Sequence, residues 1–319
     1  MSGLSFDDVL LNPRRSSINS RKDISLTTEL FEDHKIDLPI LSANMPSVTG
    51  AEMAVAIYRA GGYGFLPRFN TRAEAAEEYN DVADCESNAV VSLGLDDYKD
   101  RMPYLYSVGA RHFCIDVAHG HHDRVIEAVA WLKNEKEISL VAGNIATGEA
   151  AFDLAEAGAD AVKVGIGPGA ACTTREVTGF GVPQLTAIAD VRTVKEPFPY
   201  LKIISDGGIK NSGDIVKALA FGADTVMLGK LLAGCNESPN PGEYYGNASS
   251  RIRDYRAPEG VEGEVERTGP VREVLKTLSW GIKSGLSYAG VDSIFELHQD
   301  PVEAMLITPQ GMWETQTRV

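Results

Sequence analysis

The stretch from Val164 to Arg175, VGIGPGAACTTR, carries the end of an apolar run into three glycines, a thiol at Cys172 and hydroxyls at Thr173 and Thr174. Glycines let backbone N–H groups converge and a ligand approach closely, while an open loop gives the sulfur room to reach an electrophilic carbon. Cys172 is therefore the candidate nucleophile. Two other apolar runs also end at glycine, at Asp206-Gly207-Gly208 and at Leu228-Gly229. Three such ends together make an anion cradle from backbone donors, and they predict a phosphorylated small molecule held beside the thiol. Cys85, Cys114 and Cys235 have no such surroundings and no paired or metal-ligand spacing, so they are expected to be small buried hydrophobes. His119, His121 and His122 lie around Gly120 without a carboxylate or thiolate at ligand spacing, and no metal is assigned to them.

These residues need a frame. Short apolar runs recur at 38–43, 64–66, 89–93, 113–117, 140–143, 162–165, 202–205 and 225–228, each followed by a segment of helical character. In residues 148–160 the apolar positions leave the acids outward, and Gly158 is placed to stop the helix. Periodicity alone also allows a doubly wound open sheet. Eight units, with every chemically suggestive residue just after a strand, favour a closed (β/α)8 TIM barrel. The expected organisation is one catalytic barrel domain over residues 1–319. The tract 234–263 is polar and lacks an apolar period, which predicts a mobile flap over the active site, and a helical pattern resumes over 271–297.

Composition narrows the partners. The chain has 319 residues, 44% hydrophobic and 24% charged, an ordinary globular balance. A formal net charge of -15 repels polyanions, which argues against nucleic acid and anionic membrane while leaving a short-range phosphate site possible. No basic region followed by an apolar run opens the chain, no stretch of about 18 apolar residues occurs, and the cysteines form no disulfide framework. A reducing cytoplasm is the expected location.

The three glycine-ended segments, in this order, resemble the purine nucleotide oxidoreductases, the family of inosine monophosphate dehydrogenase and guanosine monophosphate reductase. The resemblance implies that Cys172 attacks C2 of the purine to form a covalent thioimidate, with Thr174 beside the same carbon. It makes Asp206 the partner of the ribose hydroxyls and places Gly167, Gly169, Gly208 and Gly229 near the phosphate. Lys230 stands where relatives usually carry a small residue. Ser42-Ala43-Asn44-Met45 resembles the loop whose methionine packs on the purine, although Met45 also suits a plain core. Asp116 is implied to lie along the nicotinamide, with Asn144 near the cofactor and Arg68 on the same side; Asn144 could equally cap the next helix. The resemblance further implies potassium on backbone carbonyls of Gly165, Gly167 and Cys172, and a homotetramer.

The two enzymes differ in how the adduct is resolved. The dehydrogenase uses an adjacent Arg-Tyr pair in a long flap to activate water, and no such pair occurs in this tract. Tyr255-Arg256-Ala257-Pro258-Glu259-Gly260 resembles the reductase pattern Tyr-Arg-Ala-Ser-Glu-Gly, with proline replacing serine. Leu66-Pro67-Arg68-Phe69 runs directly toward a helix, without the regulatory CBS module that dehydrogenases usually insert there. Against this, residues 259–263 are closer to the dehydrogenase ending. The expected activity is NADPH-dependent conversion of GMP to IMP and ammonia, with Glu259 and Thr174 protonating the departing amine and with Arg256 and Gly260 at the substrate. IMP dehydrogenase lacking the regulatory module is the alternative. A catalytically silent nucleotide-binding barrel is a third, opposed by intact Cys172, Thr174 and Glu259. No GxGxxG fingerprint is present, as suits a cofactor lying across a barrel mouth.

Overall fold

Runs of valine, isoleucine and leucine closed by glycine or polar turns form eight short strands: β1 (Ile40–Ser42), β2 (Tyr63–Leu66), β3 (Ala89–Leu93), β4 (His112–Asp116), β5 (Ser139–Ile145), β6 (Ala161–Val164), β7 (Lys202–Asp206) and β8 (Thr225–Leu228). A computed structural model describes residues 3–252 and 256–316. All neighbouring strands run parallel, and β8 pairs back onto β1 with Val226 opposite Ile40, so the sheet closes into a (β/α)8 barrel. Each expected run falls on one of these strands. Phe65, Val91, Phe113, Val141, Val162, Ile203 and Val226 are fully buried. At roughly 1.5–3 kcal/mol per such side chain, their burial is what closure gains.

The surrounding helices are α1 (Ala51–Arg59), α2 (Arg72–Asp84), α3 (Tyr98–Ser107), α4 (Asp123–Glu135), α5 (Gly148–Glu156), α6 (Gln184–Arg192), α7 (Ser212–Phe221) and α8 (Val271–Ala289). Local capping sets several of their starts. Thr71 and Glu74 form a reciprocal capping box on α2, and the Thr147 side chain accepts from the Ala150 amide at the start of α5. Thr147 thus takes the role that Asn144 was free to play on sequence grounds. On α8, Leu275, Leu278, Ile282 and Leu286 form a buried stripe, and the helix packs beside α1 and α7 to close the outer ring. Gly290 ends α8 with a φ of 76°, and a second helix follows at Ile294–Gln299, so the single helical pattern expected over 271–297 is broken.

A hairpin of Thr28–Phe31 and His34–Ile36 covers the N-terminal end of the barrel, its Thr28 hydroxyl donating to the carbonyl of Asp224 just before β8. Phe31 packs tilted and His34 edge-on against His112, and the Tyr63 hydroxyl lies 2.7 Å from His112 Nδ1. Burial and the neighbouring His34 push His112 down to about 4, so this imidazole is neutral near pH 7. Chemistry is left to the C-terminal mouth.

The polar tract 234–263 is more regular than its composition predicts. Glu243–Tyr245 pairs antiparallel with Glu262–Glu264 in a two-stranded ribbon. The second of these strands is exposed throughout, so backbone pairing holds it and an apolar signature was never required. Of the other cysteines, Cys114 and Cys235 are buried as expected, but Cys85 is exposed, because it follows the last turn of α2 on the outer surface.

Candidate active site

The loop after β6 passes so close to the end of β7 that a Cβ on Gly165 would stand 2.0 Å from the carbonyl oxygen of Asp206. Gly167 adopts a φ of 86°, where a side chain would strain the backbone and strike Arg175. Glycine is needed at both positions for the loop to turn toward the mouth. There it meets the returning arm of the flap: the Thr173 amide donates to the Glu259 carbonyl at 2.8 Å, and the Val261 amide to the Ala171 carbonyl at 2.9 Å. These two bonds set Glu259 opposite the cysteine loop across 85 residues of chain.

The side chains then form a line. The Cys172 thiol donates to Thr174 Oγ1 at 3.2 Å, and the Thr174 hydroxyl donates to Glu259 Oε2 at 2.7 Å. Such a line can carry a proton from sulfur to carboxylate and return one to a leaving group above the thiol. Thr174 begins the short helix Thr174–Thr178, but the N-cap position belongs to Thr173 and the Thr174 hydroxyl goes to Glu259. The capping role that Thr174 could have had is thereby overturned.

A second cluster lies on the neighbouring strands and centres on Lys163, which sequence reasoning passed over. Its ammonium donates to Asn144 Oδ1 at 2.6 Å, Asp116 Oδ1 at 3.0 Å and Asp206 Oδ2 at 3.2 Å. Asn144 Nδ2 in turn donates to Asp206 Oδ2 and to the Gly165 carbonyl, both at 2.8 Å. Asn144 is therefore spent on holding Asp206 and the cysteine loop. Burial pulls Lys163 toward deprotonation, but the two carboxylates outweigh it and raise the lysine above its ordinary value. Burial likewise pushes Asp116 up, while Lys163, Arg68 and Asn44 hold it below the usual carboxylate range. The lysine stays charged, as does Asp116. The signal was a lone lysine in the apolar strand Ala-Val-Lys-Val.

The flap reaches this cluster through Asn247, also unanticipated. Asn247 Nδ2 donates to the Asn44 carbonyl at 3.1 Å and lies 3.5 Å from Asp116 Oδ2. Its Oδ1 is buried with no partner among the described residues. Arg68 completes the shell, Nε donating to the Asp116 carbonyl at 3.0 Å and lying 3.6 Å from Oδ2.

Comparison with known proteins gives the family. The family described as "IMP dehydrogenase / GMP reductase domain" matches residues 3–318. The chain belongs to the IMP dehydrogenase/GMP reductase family. It is 35% identical to the inosine-5'-monophosphate dehydrogenase of Borreliella burgdorferi over 92% of this chain and 91% of that protein. Identity is 32% to the enzyme of the same name from Nitrosopumilus maritimus, over 98% of both chains. The GMP reductase of Leishmania donovani is 30% identical over 93% of each. Members of the IMP dehydrogenase/GMP reductase family are oxidoreductases that act on purine nucleotides with nicotinamide dinucleotides.

Within this family frame, the glycine ends surround one more unanticipated group. A Cβ on Gly229 would stand 3.1 Å from the Tyr244 hydroxyl and 3.4 Å from Met45 Sδ, so Met45, Gly229 and the flap tyrosine share one wall. Burial, with Asp206 and Cys172 nearby, raises the Tyr244 phenol and keeps it a neutral donor. Gly207 packs on Gly169, and Gly208 faces Pro168, which joins the β6 and β7 loops into one cradle. Lys230 is exposed in the first turn of Lys230–Ala233. Gly260 pairs with Cys172. Arg256 is exposed on the flap, and Tyr255 lies outside the described residues. Of the three carbonyls expected to hold potassium, that of Gly165 already accepts from Asn144, while those of Gly167 and Cys172 take no backbone donor among the described residues.

Proposed function

We propose that this chain is a GMP reductase, acting as one catalytic barrel, that converts GMP to IMP and ammonia at the expense of a reduced nicotinamide dinucleotide, NADPH. The observation that carries this reading is the line from Cys172 through Thr174 to Glu259. Cys172 sulfur adds to C2 of the purine, its proton passing along the line. The C2 amine takes up protons, with Glu259 the donor reached through Thr174, and leaves as ammonia. That departure leaves the thioimidate. Hydride from the reduced nicotinamide adds to C2, the carbon–sulfur bond breaks, and IMP departs as the thiolate is restored. The absence of an adjacent Arg-Tyr pair in residues 234–263 supports ammonia over water as the group exchanged at C2.

Asp206 suits the ribose, since Lys163 and Asn144 fix Oδ2 and leave Oδ1 without a protein partner among the described residues. The Gly167, Gly169, Gly208 and Gly229 backbone with Tyr244 suits the phosphate, and Met45 the purine face. The nicotinamide suits the Asp116 side, where the orphaned Asn247 Oδ1 is an acceptor for a carboxamide N–H. Potassium on Gly167 and Cys172 is part of the same reading.

The higher identity to proteins named inosine-5'-monophosphate dehydrogenase favours a second reading, oxidation of IMP to XMP with NAD. Purified protein offered GMP with NADPH, and separately IMP with NAD, decides between them by absorbance of the reduced nicotinamide and by chromatography of the products. Xanthosine monophosphate released over many turnovers would overturn the reductase.

A further inference from the structure

Arg101, on α3, is only 1% exposed, yet its hydrogen bonds go to a loop of the barrel mouth, and its ion pair with Asp97 is a long one. Its Nη1 donates to the Asn70 carbonyl at 2.6 Å and its Nη2 to Asn70 Oδ1, so one guanidinium grips the backbone and the side chain of one residue. Nε is buried without a partner among the described residues, and Asp97 Oδ2 lies 3.8 Å from Nη1. Burying a guanidinium is expensive unless acceptors and counter-charge surround it, and here both are incomplete. Asn70 passes the contact on, its Nδ2 donating to Glu78 Oε2 at 3.3 Å. Two residues before Asn70 stands Arg68, which bears on Asp116.

We propose that Arg101 and Glu78 are positioning residues for the dinucleotide: Arg101 fixes the loop between β2 and α2 so that Arg68 meets Asp116, and the charge on Glu78 sets how firmly. This rests on the reading that the cofactor lies along Asp116. Ionised Glu78 adds to the counter-charge of half-exposed Asp97 and strengthens the bond from Asn70; protonated Glu78 does neither. The groups around Glu78 are Asp81 on its own helix, Arg101 from α3, Asn70 from the loop, and the start of α1 at Gly50, where a Cβ would lie 3.5 Å from Oε1. Burial and Asp81 push Glu78 up to about 7, against Arg101 and Asn70. Its charge therefore appears between pH 6 and 8.5, and dinucleotide binding should tighten over that range.

Titration calorimetry of wild type, Glu78→Gln and Arg101→Met with NADPH and with GMP, at pH 6 and 8.5, tests this. Wild type should bind NADPH about tenfold more tightly at the higher pH. Glu78→Gln, which keeps an acceptor for Asn70, should bind with the wild-type low-pH affinity at both. Arg101→Met should weaken NADPH about tenfold or more at pH 8.5 and leave GMP within about twofold. A Glu78→Gln protein with the wild-type pH response, or an Arg101→Met protein that loses GMP and NADPH equally, would overturn the proposal. Amide exchange across residues 68–75, corrected for intrinsic rates, reads the loop without any ligand. Its protection should rise with pH in wild type and stay flat in Glu78→Gln, and a flat wild-type response would overturn the loop mechanism. If the loop responds but wild type binds no dinucleotide, it is the functional reading that fails.

Discussion

Replacing Lys163 with methionine removes the one cation that three polar side chains share. Asp116 Oδ1 and Asn144 Oδ1 lose their donor, and Asp206 keeps only Asn144 on Oδ2. Breaking a buried ion pair from one side typically costs about 3–5 kcal/mol, because the abandoned charge stays buried. Unfolding entropy of about 2.1 cal/mol/K per residue over 319 residues gives about 0.7 kcal/mol/K, so the melting temperature should fall by about 4–8 °C near neutral pH. The loss should depend on pH with a definite sign. In wild type Asp116 is held below its ordinary value, so its contribution is present above the unfolded value and fades as the solution is acidified. Without Lys163, burial dominates and the carboxyl rises instead, so stability is retained at low pH and lost as pH rises. The gap between the two proteins should therefore widen from pH 4.5 to pH 8. Thermal unfolding followed by circular dichroism at both pH values measures it. A gap that is absent, or the same at both, would refute the claim that Lys163 balances these carboxylates.

Four further outcomes follow from the site. Cys172→Ala should abolish turnover and leave GMP affinity within about tenfold, since in the proposed reaction the sulfur forms the adduct and the glycine loops do the binding; comparable activity would remove the covalent route. Exposed Cys85 should react with iodoacetamide whether or not nucleotide is present, whereas GMP should protect Cys172 in a peptide-mapping experiment. Glu259→Gln should slow release of ammonia from GMP by on the order of a hundredfold while IMP still reduces NADP on mixing with a smaller loss, because both reactions remove the thiol proton but only the first must also protonate a leaving amine; equal losses in both would point to a structural role for Glu259. Exchanging potassium for a bulky organic cation at equal ionic strength should lower turnover, and unchanged turnover would remove the ion from the mechanism.

The parts of the site that the sequence displayed are those whose demands are local. A nucleophile loop needs glycines within a few residues of its cysteine, and 164–175 shows them. The strands also announced themselves, because a buried parallel strand is a nearly unbroken apolar run. What the sequence withheld is partnership across the barrel. Lys163 meets Asp116 and Asp206 at separations of 47 and 43 residues, and nothing in Ala-Val-Lys-Val distinguishes a charge-balancing lysine from one that snorkels to solvent. Asn247 meets Asp116 across 131 residues, from a tract whose polar composition marked it only as a loop. The choice between a cap and an acid's partner at Thr174 was equally nonlocal, since Glu259 decides it.

This division also shows how the two halves of the site are joined. The cysteine line depends on the flap's backbone, through the Glu259 carbonyl and the Val261 amide, and the carboxylate cluster depends on the flap's side chain at Asn247. Asn144 connects the same halves from below, one amide nitrogen reaching both the Gly165 carbonyl of the cysteine loop and Asp206. A change that shifts Lys163 should therefore move the cysteine loop through Asn144, which links Lys163 to the Gly165 carbonyl. Substitutions in the cluster should consequently alter the reactivity of the thiol as well as ligand affinity, while substitutions at Thr174 or Glu259 should leave the contacts among Lys163, Asp116 and Asp206 in place.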